Sequence, residues 1–164
     1  MSTEIVRAEN AEEIGAVRAL FLEYATSLNF SLCFQSFDRE VAELPGMYAP
    51  PRGLLLLANV DGAAAGCAGL HELEDGIAEM KRLFVRPSCR DLGIGRALAE
   101  RIIGEARAIG YRKVRLDTIV GTMDPAIALY RRLGFVPIPP YRPNPVEGAL
   151  YMELALSSAS EHRV

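Results

Sequence analysis

The run Arg90-Asp91-Leu92-Gly93-Ile94-Gly95, leading into a helical stretch that ends near Ile109, constrains the fold more than any other part of the chain. Upstream, Ile77 to Val85 reads as a strand ended by Pro87; downstream, Gly110 closes the helix and Lys113 to Val120 reads as the next strand. Strand, glycine loop, helix and strand make a right-handed crossover that sets the two strands side by side in parallel. Without Cβ atoms, Gly93 and Gly95 let the backbone turn sharply and admit a bulky group. The first N–H groups of a helix lack intrahelical partners and lie at the positive end of its dipole. The loop is therefore expected to seat a phosphate or diphosphate.

Charge is distributed to match. The chain carries 18 basic and 21 acidic residues, yet residues 81–115 hold ten Lys or Arg against three Asp or Glu. A basic segment around the loop suits an anionic ligand. The acidic remainder argues against nucleic acid as a partner and suits a cationic substrate. No apolar run reaches membrane-spanning length and Met1-Ser2-Thr3-Glu4 is no signal peptide, so no membrane partner is expected. Cys33, Cys67 and Cys89, with no Cys-x-x-Cys and only His71 and His162, point to reduced thiols in the cytoplasm and to no metal.

The 164 residues suit one domain, with a frayed tail at about 157–164. Residues 4–8 read as a strand. Asn10 and Glu13 form a capping box for a helix to Leu28, and Asp38 is placed to cap a second helix through Leu44, stopped by Pro45-Gly46. Leu54 to Val60 and Ala63 to Leu73 form a hairpin about Asp61-Gly62. After the crossover, Asp124-Pro125 reads as cap and first residue of a helix closed by Gly134. Residues 137–145 hold five prolines and read as a loop; Leu150, Met152, Leu154 and Leu156 alternate as a last strand. The order β-α-α-β-β-β-α-β-α-β-β describes a mixed α/β sheet.

Three segments carry a family resemblance. Arg90-x-x-Gly93-x-Gly95, the late helix Ala126-x-x-Leu129-Tyr130-x-x-x-Gly134-Phe135, and the strand Glu79-Met80-Lys81-Arg82-Leu83-Phe84-Val85-Arg86-Pro87 stand in order at the right spacing. Together they resemble the GNAT N-acetyltransferase superfamily over about residues 4–156. Met123 departs from the pattern, since many members carry Asn there. Residues 141–154 look like a bacterial subgroup whose substrates are mostly unassigned. The resemblance implies a mainly antiparallel sheet with a parallel, splayed central strand pair and helices on both faces. It implies acetyl-CoA as cofactor, an amine or peptide N-terminus as acceptor, direct attack in a ternary complex, and homodimerisation through the last strands.

The same resemblance assigns roles. Arg90, Asp91, Leu92, Gly93, Ile94, Gly95 and Arg96 would hold the diphosphate, their N–H groups aided by arginine guanidinium. Leu83, Phe84 and Val85 would pair with the pantetheine arm, and a main-chain N–H near Leu83 would stabilise an oxyanion. Glu79 aligns with a general base, working through water, and Tyr130 with the acid that protonates the departing thiolate. Phe30, Phe34, His71 and Tyr141 are candidates to line the acceptor site. Each also has a purely structural reading, as core, turn or surface pair. Two other functions fit the residues less well. One is a non-catalytic acyl-CoA-binding regulator on the same fold. The other is a nucleotide-dependent oxidoreductase, against which Leu98 replaces the third glycine of a dinucleotide loop.

Overall fold

The computed structural model describes residues 2–28, 31–32 and 36–156. Phe30, Phe34 and the tail from 157 lie outside the described residues. Among the described residues, seven strands form one sheet in the order β1-β2-β3-β4-β5-β7-β6. They are β1 (Thr3–Arg7), β2 (Leu54–Val60), β3 (Ala63–Glu74), β4 (Ile77–Val85), β5 (Lys113–Ile119), β6 (Val136–Ile138) and β7 (Ala149–Ala155). Every neighbouring pair is antiparallel except β4 and β5. This is not the doubly wound parallel sheet of a dinucleotide-dependent oxidoreductase.

The sheet is covered on both faces, which explains the unbroken apolar run Leu54 to Leu57. Leu54 and Leu56 join a core under α3 (Ile94–Ile109) and α4 (Asp124–Leu133) that includes Leu98, Ile102, Leu116 and Tyr130. Leu55 and Leu57 point the other way, into a core with Val17, Leu20, Phe21 and Phe37 from α1 (Ala11–Ser27) and α2 (Phe37–Ala42). Successive residues of a strand face opposite sides, so a strand buried on both is apolar throughout.

The capping box on α1 forms as expected: Glu13 N–H donates to Asn10, and Glu13 Oε1 accepts from Asn10 N–H. Most element ends shift by a residue or two from the sequence reading, helix α2 stopping at Ala42 short of Leu44, and three differences have a clear cause. Helix α2 begins at Phe37, ahead of Asp38, because the buried Phe37 anchors it in the core. Asp124 is the first residue of α4, not its cap; its Oδ1 accepts from Gly121 N–H at 2.7 Å. Residues 136–138, partly read as loop, form the outer strand β6, where Pro137 is tolerated because an edge strand needs donors on one side only. Among the described residues, no helix is long and apolar enough to cross a membrane.

Candidate active site

Two irregularities in β4 open the sheet. Pairing with β5 runs from Ile77–Lys113 to Glu79–Arg115 and then stops, although both strands continue. Toward β3, Gly69 faces Lys81 while Cys67 faces Phe84, so β4 carries one extra residue. Arg82 absorbs it with φ +61°. This is a β-bulge, which bends the strand and breaks the ladder locally. The bulge and the splay leave the edge Leu83–Val85 turned toward a gap.

That gap is a cavity of about 630 Å³. Leu83, Phe84 and Val85 form one wall and the loop residues Arg90, Asp91, Gly93, Ile94, Gly95 and Arg96 another; Leu92 is exposed and stays out of the wall. Gly93, at φ +77°, is the residue before the first turn of α3. Ala97 N–H donates to the capping residue, Gly93 O, at 3.0 Å. Among the described residues the N–H groups ahead of it meet no acceptor, as at any helix start. Arg90 Nε donates to Val85 O at 3.1 Å and folds the loop back on β4. Arg96 lies 3.5 Å from Glu100, one turn on, in an exposed pair.

Tyr130 borders the cavity from α4 and packs on Phe135 at 5.7 Å between ring centres. Burial pushes its phenol well above the ordinary tyrosine range, so it stays a proton carrier. Tyr24 of α1 borders the same space and packs on Phe84. Burial raises its phenol to about 12. In sequence, Ile14, Val17, Phe21, Tyr24 and Leu28 recur at helical spacing, which marks Tyr24 as one residue of an apolar stripe and nothing more. Met123 also lines the cavity, and its sulfur accepts from Thr118 Oγ1 at 3.2 Å.

Glu79 is fully buried beside this space. His71, directly opposite on β3, meets Oε1 through Nε2 at 2.7 Å. Tyr141 hydroxyl donates to Oε2 at 2.7 Å, and Arg142 Nη2 reaches the same oxygen at 2.5 Å. Burial disfavours the charged carboxyl, but His71, Lys81 and Arg142 outweigh it and hold the group at about 2. His71 and Tyr141 thus cluster on Glu79 rather than on the cavity wall. Arg142 and Asn144, which donates to Asp117 at 3.3 Å, tie the following loop to β4 and β5. Neither was foreseen: a proline-rich loop has no period to say which side chains turn inward.

Arg82 turns away from Glu79. It donates to Glu40 of α2 through Nε at 3.0 Å and Nη2 at 2.8 Å, and Tyr48 hydroxyl donates to the same carboxylate at 2.7 Å. The bulge is thereby fastened to α2.

A sequence profile of the Acetyltransferase (GNAT) family matches residues 15–135. An uncharacterized N-acetyltransferase of Schizosaccharomyces pombe is 37% identical over 148 residues, covering 89% of this chain and 90% of that one. Among solved structures, a GNAT-family acetyltransferase of Staphylococcus aureus superposes with a TM-score of 0.78 at 19% identity, covering 95% of this chain and all of that one. An N-acetyltransferase of Thermoplasma acidophilum, solved in complex with coenzyme A, superposes with a TM-score of 0.71 at 18% identity, over 95% of this chain and all of that one.

Proposed function

The chain belongs to the GNAT acetyltransferase family and is an acyltransferase, and we propose that it moves an acetyl group from acetyl-CoA to a primary amine by direct attack in a ternary complex. One observation carries the reading. A single cavity joins the open helix start at Gly93–Arg96, the freed edge Leu83–Val85, and the hydroxyl-bearing Tyr130. Those are the parts needed to grip a diphosphate, align an arm and protonate a leaving group.

Acetyl-CoA supplies the activated thioester when bound. The N–H groups ahead of Ala97 receive the diphosphate, with Arg90 and Arg96 adding charge. The edge Leu83–Val85 pairs with the arm as an added strand. A main-chain N–H beyond the bulge faces the oxygen on which charge develops. Tyr130 hands its phenolic proton to the departing sulfur. Proton removal from the acceptor falls to the Glu79 end of the site, where carboxylate, imidazole and amine groups meet. The acceptor is a small amine, an amino-acid derivative or a peptide N-terminus.

The reading extends to the chain as one domain, working in the cytosol. Cys67 and Cys89 as free thiols support a reducing compartment. The outer strand β6 exposes Val136, which supports a homodimer joined through the last strands; light scattering of the purified protein tests it. The deciding assay is thiol release from acetyl-CoA over a panel of amines. Turnover is expected with at least one. Tight coenzyme binding with no release across the panel would overturn the reading in favour of a non-catalytic binder.

A further inference from the structure

Glu79 has no place on the cavity wall, but Lys81 does. The two project from the same face of β4, two residues apart. Lys81 Nζ stands 4.0 Å from Glu79 Oε1, and Lys81 borders the open space where Glu79 does not. Its wall also carries Leu83 and Tyr130, so the amine shares the compartment in which the acetyl group would change hands. Lys81 is 8% exposed. Burial and Arg82, with a smaller contribution from Arg142 of the β6–β7 connection, hold its amine below the ordinary lysine range; Glu79 and Asp117 of β5 pull the other way. Glu79 itself, engaged by His71, Tyr141 and Arg142, is a weak proton acceptor.

We propose that Lys81 is a further catalytic residue, its neutral Nζ taking the proton from the acceptor's ammonium while Glu79 positions it from behind. The proposal rests on the acyl-transfer reading above. The acceptor N–H bond breaks, an Nζ–H bond forms, and the freed lone pair attacks the thioester carbonyl carbon. The carbon–sulfur bond then breaks with its electron pair on sulfur. Sulfur takes the proton of Tyr130, the new amide nitrogen returns one to Tyr130, and Lys81 releases its proton to water. One proton is lost overall.

A lysine here has a second chemical use, as a cation that holds an acidic group of the acceptor, and one substitution separates the two. Arginine keeps the positive charge but does not give up its proton in proteins. The amine panel comes first: no thiol release with any amine sinks acyl transfer itself. With turnover established, Lys81→Arg and Lys81→Met are both expected to lower kcat by about 10²–10⁴-fold, the size of a general-base contribution. The KM for acetyl-CoA is expected to stay within about threefold. In the kcat–pH profile, the ionisation lying below the amine's own disappears in both variants. Lys81→Arg with kcat within about threefold of the unsubstituted protein overturns the proposal and makes Lys81 a binding cation. Independently of any variant, NMR titration of 13C-lysine-labelled protein is expected to show the Lys81 side chain ionising below free lysine. A titration at or above the free value overturns it as well.

Discussion

The guanidinium of Arg82 grips the carboxylate of Glu40 through two hydrogen bonds, and both side chains are almost wholly buried, at 4% and 6% exposure. The pair does more than join α2 to β4. Arg82 occupies the left-handed region, where a residue with a side chain is held only if its surroundings insist. Glu40, with Tyr48 behind it, supplies that insistence. Removing one partner leaves a buried charge alone, at a cost of about 3–5 kcal/mol. Glu40→Ala should therefore lower stability by that amount in urea melts. The double variant Glu40→Ala/Arg82→Met should lose less, because no charge is stranded. Equal losses would mean the pair holds nothing.

Gly69 makes room for Tyr48. A Cβ at position 69 would stand 2.6 Å from Tyr48 Cε1, and that ring is buried between Phe21 and His71. The ring has nowhere to retreat. Gly69→Ala should cost about 1–3 kcal/mol, as overpacked cores do. Tyr48→Leu in the same background should recover part of it, while Tyr48→Phe should not, since the ring remains. Thermal melts of the three proteins decide the matter.

These two pairs mark where sequence reading stops. Local rules found α1 through Asn10 and Glu13, and α3 through Gly93 and Gly110, because caps and turns act over a few residues. The glycines themselves pointed to the loop, and resemblance pointed to Tyr130, which lines the cavity. Glu40 and Arg82 lie 42 positions apart, and Arg142 reaches Glu79 across a loop with no period. Only the folded chain sets such distances. Glu79 posed the same difficulty in another form. An acidic residue in an apolar strand signals a partner, but not which of His71, Tyr141, Lys81 and Arg142 it meets.

Acid should weaken the fold through Glu79. Its carboxyl ionises at about 2 in the folded chain against an ordinary 4.5, so the charged form is favoured by folding. That contribution is whole above pH 4.5 and drains away as pH falls toward 2, a change on the order of 3 kcal/mol. Glu79→Gln should lose stability at pH 7 and show a shallower decline between pH 5 and pH 3. Glu40, Glu105 and Glu153, also lowered by their cations, keep part of the slope. Urea melts across that range test it; parallel slopes in the two proteins would remove Glu79 as a source of acid sensitivity.

Tyr130→Phe isolates the hydroxyl, because the ring keeps its packing on Phe135. If the phenol protonates the departing sulfur, kcat should fall by about 10²-fold or more while the coenzyme's Kd moves little. Steady-state rates with calorimetric Kd values separate the two. An unchanged kcat would leave Tyr130 a wall residue only.

Gly93 combines two demands that can be pulled apart. Its φ of +77° strains most side chains, yet a Cβ there would meet nothing within 4 Å. The fold therefore objects to a side chain at this position through the backbone alone. Gly93→Val should lose about 1–2 kcal/mol of stability, the cost of the left-handed region. If the proposed diphosphate seat is right, the variant should also bind coenzyme A at least ~10-fold more weakly, since the branched side chain would crowd the first N–H groups of α3. Asparagine tolerates positive φ far better. Gly93→Asn should therefore regain most of the melting temperature but not the affinity. Were it to bind coenzyme A as tightly as the unsubstituted protein, the loop would be a turn and not a cradle.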